Sequence, residues 1–356
     1  MHTKVKELLV LAVNNEASDV HLSFGVLPKM RLDGGLIDVT NFSNEDIKLI
    51  PELILSMLST EQKKELDEKK ELDFAFDMSG SRFRANVYFQ KEGLAAALRM
   101  ISSEIPGLSV LNLPEICGSF CDIKQGFILV TGPTGQGKST TVASMLSEIN
   151  NTRDCHIVTV EDPIEYLIKP NKAIISQREL GRDTLSFPSA LRACLRQDPD
   201  VVFVGEMRDL ETIGSALTVA ETGHLVFSTL HTNSAAQTID RIIDVFSGGS
   251  KAQIRLQLAS VITAVVSQRL LLSLSGGRVP ATEIMIATPA VKNAIRESKT
   301  YMIDNIIQTS ADVGMMSLET SLAKLVKTGK VSEEMAMAYS LKPLELQSRL
   351  RGGAKL

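Results

Sequence analysis

The sequence predicts an α/β protein with two domains. Its 356 residues are enough for two domains of about 150 residues each. In the later part of the chain, short apolar runs alternate with helix-like stretches, a pattern typical of a parallel sheet buried on both faces. The earlier part has one helical stripe and several short strands. We therefore expect an α+β domain over 1–101, a linker over 102–116 and an α/β domain over 117–356.

The first domain is predicted to begin with a helix over residues 3–15, because its apolar residues recur at helical spacing. Short strands joined by a hairpin follow over residues 18–39, with the turn at Asp33-Gly34-Gly35. Residues 59–72 start with a Ser-Thr cap signal and are dense in charge, which predicts a solvated helix. Three more strands separated by tight turns are expected at 72–80, 81–90 and 94–101.

The composition indicates an ordinary globular protein, with 44% hydrophobic and 22% charged residues. No apolar run approaches the roughly 18 residues that a membrane-spanning helix needs, and the amino terminus lacks a signal-peptide cleavage pattern. We therefore expect a cytoplasmic protein. A net charge of −4 and an aromatic content of 4% disfavour nucleic acid as the main partner.

Four cysteines, Cys117, Cys121, Cys155 and Cys194, are too few and too scattered for a disulfide framework. Cys117 and Cys121 are close in sequence, but no second pair accompanies them as a structural zinc site would require. These residues are therefore predicted to be buried free thiols.

The stretch GPTGQGKSTT, residues 132–141, fits the phosphate-loop pattern G-x-x-x-x-G-K-[ST], with a strand-like run before it and a helix-like run after it. Glycines let backbone N–H groups surround phosphates, Lys138 is expected to reach the β- and γ-phosphates, and the Ser139 hydroxyl is expected to bind Mg²⁺. The predicted nucleotide-binding residues are Gly132, Pro133, Thr134, Gly135, Gln136, Gly137, Lys138, Ser139 and Thr140. ATP is the expected nucleotide, because residues 171–174 lack the aspartate of a guanine-specific N-K-x-D element.

Acidic residues and a histidine follow the predicted strands of the second domain. Ligands of open parallel sheets bind beyond the carboxyl ends of the strands, where Glu161, Glu165, Glu206 and His231 are expected. Glu206 and Glu165 are the candidates for holding the magnesium shell and for orienting or deprotonating the attacking water. For Glu161 a structural role is favoured, and Asp162, which precedes a proline, is expected to shape a turn.

His224 and His231 cannot share one metal ion. If the residues between them form one strand, the two side chains are separated by roughly 23 Å and lie on opposite faces. His231 is expected at the ligand end, within reach of the γ-phosphate, whereas geometry alone gives His224 a structural role.

Several segments resemble the secretion-ATPase superfamily, and among its members the PilT-like type IV pilus retraction motors. These segments include GPTGQGKSTT, VEDPIEY, FVGEMRDLETI and ETGHLVFSTLHTNSAAQTIDRIIDVF, together with SDVHLSFGVLPKMRLDG and RFRANVY in the first domain. The resemblance implies a RecA-like P-loop NTPase domain behind a smaller PAS-like α+β domain, with C-terminal helices. It also implies a ring hexamer with ATP between subunits.

The resemblance assigns further roles by motif. It implies that Glu165 is the catalytic base and that Glu206 is an atypical Walker B residue. It also implies that His224 and His231 form a histidine box, which gives His224 a catalytic role in addition to the structural role that geometry predicts. It further implies that an N-terminal arginine reaches a neighbour's nucleotide. The candidates for that role are Arg82, Arg84 and Arg99.

Two features favour retraction over extension motors. The four-cysteine zinc module of the extension and type II secretion ATPases is missing from the sequence, and AVKNAIRE at 290–297 resembles the AIRNLIRE element of retraction motors. An ordinary amphipathic helix is the alternative for that segment. Gln136 departs from the serine usual at its position, but ATP binding is expected to survive because the position is variable in the motif.

The expected function is a hexameric ATPase that retracts type IV pili, and so drives twitching motility, through an inner-membrane platform protein at the cytoplasmic base of the pilus. The alternatives are an ATPase for assembly or secretion, a RecA-like nucleic-acid translocase, and a nonhydrolysing ring that assists a second motor ATPase. The charge balance disfavours the translocase, and Glu165 and Glu206 argue against the nonhydrolysing ring.

The C-terminal stretch SRLRGGAKL, 348–356, is predicted to be a mobile tail.

Overall fold

The computed structural model describes residues 1–32, 35–91, 93–101 and 104–352. The chain divides into two compact units, Met1–Glu104 and Ile105–Leu356. No helix in these described ranges is long and apolar enough to cross a membrane.

The described part of the first unit combines six strands with four helices. The strands form one antiparallel sheet in the order β3-β2-β1-β6-β5-β4. In chain order the elements are α1 (Thr3–Asn14), β1 (Asp19–Ser23), β2 (Lys29–Leu32), β3 (Gly35–Asp38), α2 (Asn44–Lys48), α3 (Ile50–Leu55), α4 (Thr60–Lys69), β4 (Glu71–Met78), β5 (Ser81–Gln90) and β6 (Gly93–Ile101).

The core of the first unit contains the apolar face of α1. The apolar stripe of α1 is buried, and it joins α3 and the inner face of the sheet in one hydrophobic cluster. In contrast, α4 buries only Leu66 among its ten residues, as expected for a solvated helix. Of the predicted hairpin turn, Asp33 and Gly34 lie outside the described residues, and Gly35 opens β3.

The second unit is built on a sheet that has seven strands in the described chain, in the order β13-β12-β7-β11-β10-β8-β9. Six of these strands run parallel to their neighbours, and β13 pairs antiparallel with β12. The strands are β7 (Gly126–Thr131), β8 (His156–Glu161), β9 (Ile174–Glu179), β10 (Val201–Val204), β11 (Leu225–Leu230), β12 (Ile262–Leu272) and β13 (Arg278–Ile286).

Helices cover both faces of this sheet, and two hydrophobic clusters fill the space between the layers. Because both faces are covered, β7, β10 and β11 are buried at every residue, which explains their continuous apolar sequences. The helices are α5 (Ile116–Ser119), α6 (Lys138–Thr152), α7 (Phe187–Cys194), α8 (Leu210–Glu221), α9 (Ala235–Asp244), α10 (Ser250–Val261), α11 (Pro289–Arg296), α12 (Ile303–Thr309), α13 (Leu318–Lys327), α14 (Glu333–Tyr339) and α15 (Pro343–Arg351).

The structure differs from two expectations about connecting segments. Most of the predicted linker belongs to the second unit, where Ile105 and Leu108 pack on its core and Pro106 accepts a hydrogen bond from the Ser144 hydroxyl. Residues 102 and 103 of that linker lie outside the described residues. The predicted mobile tail is wrong for 348–351, which form the last turn of α15 with Leu346 buried beneath it, and residues 353–356 lie outside the described part.

The prediction of buried thiols is confirmed for Cys117 and Cys121, which are 1% and 2% exposed. Burial raises the pKa of both thiols to about 12, so both remain protonated and unreactive at neutral pH.

Candidate active site

Four parallel strands bring the predicted site residues to one edge of the second sheet. The carboxyl ends of these strands are aligned, since Val160 pairs with Val204, Val204 with Ser228, and Leu230 with Thr131. The loops that follow β7, β8, β10 and β11 therefore begin side by side. Glu161, Glu206, His231 and the phosphate loop all belong to this edge, as the rule for parallel sheets predicts.

The phosphate loop has a backbone that only glycine adopts readily at two of its positions. Gly135 and Gly137 have φ angles of 76° and 79°, in the left-handed region. Gly137 is the N-cap of α6 and has no side chain with which to cap it. The first N–H groups of the helix are thus available to an anion and are reinforced by the helix dipole.

Gly132 is required for a different reason, because a Cβ at this position would lie 2.3 Å from the Gln268 carbonyl oxygen of β12. At the point where it departs from β7, the loop is therefore in direct contact with the backbone of β12. The hydroxyls of Thr131 and Ser267 also bond at 2.9 Å across these two strands, and the Thr141 hydroxyl donates to Gln268 Oε1 at 2.8 Å.

A chain of polar contacts runs from the loop lysine to a surface arginine. Lys138 Nζ lies 3.4 Å from His231 Nδ1, His231 Nε2 lies 3.3 Å from Glu206 Oε1, and Arg208 donates to Glu206 Oε2 at 2.8 Å. Lys138 also donates to the carbonyl oxygens of Gly132 and Pro133 at 2.8 and 3.0 Å. An ammonium group can only donate, so this arrangement makes His231 Nδ1 the acceptor and Nε2–H the donor to Glu206.

The charges in this chain depend on their surroundings. Burial lowers the pKa of Lys138, and the nearby Glu206 charge partly opposes that effect. Burial raises the pKa of Glu206, but hydrogen bonds from Arg208 and His231 and the charge of Arg208 outweigh it, so this pKa lies below its ordinary value. Glu206 is therefore a carboxylate at neutral pH, beside the lysine that is expected to bind phosphate.

Glu161 has a different environment at the end of β8. It is 6% exposed and accepts hydrogen bonds from Thr159 Oγ1 at 2.6 Å, Gln177 Nε2 at 3.2 Å and the Glu165 backbone N–H at 3.4 Å. Burial raises its pKa to about 7 despite these donors. The side chain of Glu165 is exposed, so Glu161 orders the backbone of a residue that itself faces outward.

The loop after β8 is also tied to the helix that begins at the phosphate loop. Tyr166, which follows Glu165, shares a hydrogen bond of 2.9 Å between its hydroxyl and that of Thr140. Gln177 fixes the same loop from the other side, because its Nε2 donates to the Tyr166 carbonyl and its Oε1 accepts from the Ile168 N–H. A movement of α6 would therefore be transmitted to the position of Glu165.

The structure places His224 away from this site within one chain. It precedes β11, whereas His231 follows the strand, so the two histidines lie at opposite ends as the strand geometry predicts. His224 Nδ1 lies 3.0 Å from both the Val219 carbonyl oxygen and the Thr222 hydroxyl. The catalytic role that the resemblance implies for His224 stays a prediction.

The three candidate arginines of the first unit differ in exposure. Arg82 is 4% exposed and pairs with Asp77 at 3.2 Å. Arg99 is 72% exposed and pairs with Asp19 at 2.9 Å. Arg84 is exposed, lies directly opposite Arg99 in the β5–β6 register, and has no ion pair among the described residues.

The segment AVKNAIRE forms most of α11 and the residue after it. Thr288 caps this helix through a side-chain bond to the Val291 N–H, and Val291, Ala294 and Ile295 are buried. Arg296 and Glu297 are exposed. The segment is therefore amphipathic, and its further role as a retraction element stays a prediction.

The residues of the site fit a nucleotide with a divalent cation. The loop offers backbone N–H groups and an ammonium group to phosphates, and the Glu206 carboxylate supplies negative charge beside them. Magnesium usually takes one or two protein oxygens and completes its shell with phosphates and waters. The pair Ser139 and Glu206 stays a prediction, and no cluster of three or more acidic, histidine or cysteine ligands occurs in the described chain.

Three residues of the site were not predicted from the sequence. Arg208 lies two residues after Glu206 and Tyr166 directly follows Glu165, so closeness to a candidate carboxylate could have drawn attention to both. Gln268 has no such signal, since 130 or so residues separate it from the loop that it contacts.

The chain is similar to known proteins over most of its length. The family model described as "Type II/IV secretion system protein" matches residues 2–277. The chain is 47% identical to the type IV pilus retraction ATPase PilT of Pseudomonas aeruginosa over 333 residues, which is 93% of this chain and 96% of that protein. It is 46% identical to a twitching motility protein of Neisseria gonorrhoeae, over 87% of this chain and 83% of that protein.

Among solved structures, the crystal structure of the pilus retraction motor PilT with bound ADP superposes with a TM-score of 0.91 at 46% identity. The match covers 97% of this chain and 99% of that one. The RecA-like fold and the capacity to bind nucleotide are thereby confirmed. The chain belongs to the type II/IV secretion system protein family and is a PilT-like ATPase of that family.

Proposed function

We propose that this ATPase works as a ring hexamer that retracts type IV pili. In this proposal it hydrolyses ATP at the cytoplasmic base of the pilus and acts on an inner-membrane platform protein. The observation that carries the proposal is the contact chain Lys138–His231–Glu206–Arg208, which joins the phosphate loop to an ionised carboxylate at the carboxyl edge of the sheet. The near full-length similarity to a pilus retraction ATPase supports retraction as the work done.

The phosphate loop provides binding and charge neutralisation. Lys138 and the N–H groups at the start of α6 bind the phosphates, and Ser139 and Glu206 hold Mg²⁺ together with the phosphate oxygens. When bound, the cation neutralises charge that develops on the transferred phosphoryl group. Residues 133–136 and Thr140 complete the enclosure of the phosphates.

Glu165 is the proposed base. Its backbone N–H donates to Glu161, which fixes the position of its backbone. Its side chain is exposed and can therefore reach a water molecule. A carboxylate in this place can orient or deprotonate that water. His231 contacts both Lys138 and Glu206. If the nucleotide displaces either of these side chains, the hydrogen bonding of His231 changes.

The three N-terminal arginines are not equivalent in this proposal. Arg84 and Arg99 are exposed on one sheet face and can reach the nucleotide of a neighbouring subunit, whereas Arg82 is buried. Like charges directly opposite in a sheet repel each other, and Asp19 offsets this only for Arg99. An anion bound by Arg84 would remove the remaining repulsion, which makes Arg84 the preferred candidate.

Retraction is tested in single cells that carry Lys138→Ala in a background without a paralogous motor. We expect cells with surface pili that do not retract, because the variant lacks the ammonium group for the phosphates. Lys124→Ala, at an exposed lysine of the same unit, serves as the control and should retract normally. Normal retraction by Lys138→Ala would contradict the proposal, and a deletion strain without pili would favour an assembly ATPase instead.

The ring is tested by light scattering of the purified protein with ADP. The proposal requires a mass about six times that of the 38.8-kDa chain. A monomer or dimer at all concentrations that still hydrolyses ATP would contradict a ring with shared nucleotide sites.

A further inference from the structure

The phosphate loop leaves part of β12 without a neighbouring strand. On one side, β12 pairs with β7 as far as Ser267 opposite Thr131, where β7 ends. On the other side, β12 continues its pairing with β13 to Leu272 opposite Arg278. From Gln268 onward, backbone groups of β12 that face the β7 side therefore need other hydrogen-bond partners.

Gln136 of the phosphate loop supplies one of these partners. The Leu270 N–H donates to Gln136 Oε1 at 2.6 Å. Leu270 lies opposite Pro280 in β13, and its N–H is directed to the β7 side, as is the Gln268 carbonyl oxygen that faces Gly132. The side chain of Gln136 thus takes the place that a further β7 residue would have in the ladder.

A second bond fixes the same residue through its backbone. Gln268 Nε2 donates to the Gln136 carbonyl oxygen at 2.7 Å. The neighbouring Gly137 is close to the same strand, because a Cβ there would lie 2.9 Å from Gln268 Nε2 and 3.1 Å from Leu270 Cδ1. The loop is therefore held against β12 by the side chain and the backbone of Gln136 and by the close approach of Gly137.

We propose that Gln136 is a positioning residue that fixes the phosphate loop to β12 and thereby sets the affinity for nucleotide, with little effect on the cleavage step. A loop fixed before binding loses less conformational freedom when phosphates enter, and this gain is shared by ADP and ATP. A serine side chain ends two bonds earlier than that of glutamine and cannot reach the Leu270 N–H in this backbone position. The inference rests on the proposed ATPase activity.

Two variants test this role. Gln136→Met keeps the length of the side chain but removes the acceptor oxygen, and Gln136→Ser removes both. For each we expect the Kd for fluorescently labelled ADP and the KM for ATP to rise about 3- to 10-fold, with kcat within about twofold of wild type. Hydrogen exchange at the Leu270 amide should be faster in both variants without nucleotide, while amides bonded between β12 and β13 keep their rates.

The matched control is Gln197→Met, at an exposed glutamine before β10 and so at the opposite edge of the sheet. It should leave ADP affinity and Leu270 exchange unchanged. Wild-type affinity in both Gln136 variants, or unchanged exchange at Leu270, would overturn the inference while leaving the ATPase proposal intact. If the wild-type protein itself bound no ADP, the proposed function would fail and this inference with it.

Discussion

Glu161 ends β8 and Glu206 follows the adjacent parallel strand β10, yet the pKa values of these two carboxyl groups shift in opposite directions. Glu161 is 6% exposed, has the neutral donors Thr159 and Gln177, and has a pKa that burial raises to about 7. The side chain of Glu206 is 24% exposed and contacts Arg208 and His231. Burial also acts on Glu206, but hydrogen bonds from Arg208 and His231 and the Arg208 charge lower its pKa below the ordinary value.

This difference shows that position at the strand end does not by itself make a carboxylate catalytic. A carboxyl group that is partly protonated at neutral pH and bonded to a backbone N–H serves to hold a loop. A carboxylate that stays ionised beside a phosphate-binding lysine can bind a cation or accept hydrogen bonds from neighbouring polar side chains. Glu161 therefore positions the loop after β8, and Glu206 supplies charge at the site.

The largest effect is expected from Glu206→Gln, which keeps the size of the side chain but removes its charge. We expect kcat for ATP hydrolysis to fall by about 100-fold or more, because a preorganised charge at the phosphates is lost. Glu211→Gln, at an exposed position in the first turn of α8, is the control and should hydrolyse ATP at the wild-type rate. Similar losses in both variants would remove the special role of Glu206.

Glu161→Gln should instead change how stability depends on pH. The folded protein retains the Glu161 proton up to about pH 7, whereas the unfolded chain releases it near the ordinary value of 4.5. The free energy of unfolding of the wild type therefore falls as pH rises through this range, and the glutamine variant lacks that contribution. Between pH 5 and pH 8 we expect the wild type to lose about 2 to 3 kcal/mol relative to the variant.

Urea denaturation at a series of pH values measures this difference. Glu283, whose pKa burial also raises to about 7, is present in both proteins and cancels in the comparison. Stability curves that run parallel from pH 5 to pH 8 would show that Glu161 is ionised in the folded protein and would end the contrast with Glu206.

Arg208→Gln tests the contribution of the Arg208 guanidinium to the ionisation of Glu206. Without this guanidinium, burial of Glu206 is less opposed and its pKa should rise. The acid limb of the kcat profile should therefore move to higher pH, with little change at pH 8. An acid limb that stays in place would mean that a different group controls it.

Thr159→Val is expected to have the smallest effect. It removes the hydroxyl that donates to Glu161 at 2.6 Å while keeping the buried shape of the side chain. We expect the free energy of unfolding to fall by about 1 kcal/mol at pH 8, with kcat and KM unchanged. A loss of kcat comparable to that of Glu206→Gln would show that Glu161 takes part in the reaction.

The sequence predicts the parallel strands well and the rest of the sheet poorly. Strands β7, β10 and β11 are buried on both faces, so they appear as short apolar runs between helical patterns. The edge strand β9 is half polar and has no such run. Helix α10 ends at Val261 and β12 begins at Ile262, so no turn residue marks the change from helical to strand structure.

The candidate site shows the same limit. The phosphate loop is predicted from its motif, and Glu206 and His231 are predicted from their positions after strand-like runs. Both predictions are possible because these signals lie in the local sequence. The bond between Gln136 and Leu270 joins residues 134 positions apart, and no local pattern encodes it. The pKa of Glu161 likewise depends on burial under a loop whose packing a single sequence does not reveal.

The most direct test of the account is steady-state ATP hydrolysis by the purified wild-type protein, with its mass determined by light scattering in the same buffer. We expect Mg²⁺-dependent turnover by a species of about six chains. Nucleotide binding by such a ring without turnover at any pH would contradict it, since an ionised Glu206 beside Lys138 would then serve no hydrolysis.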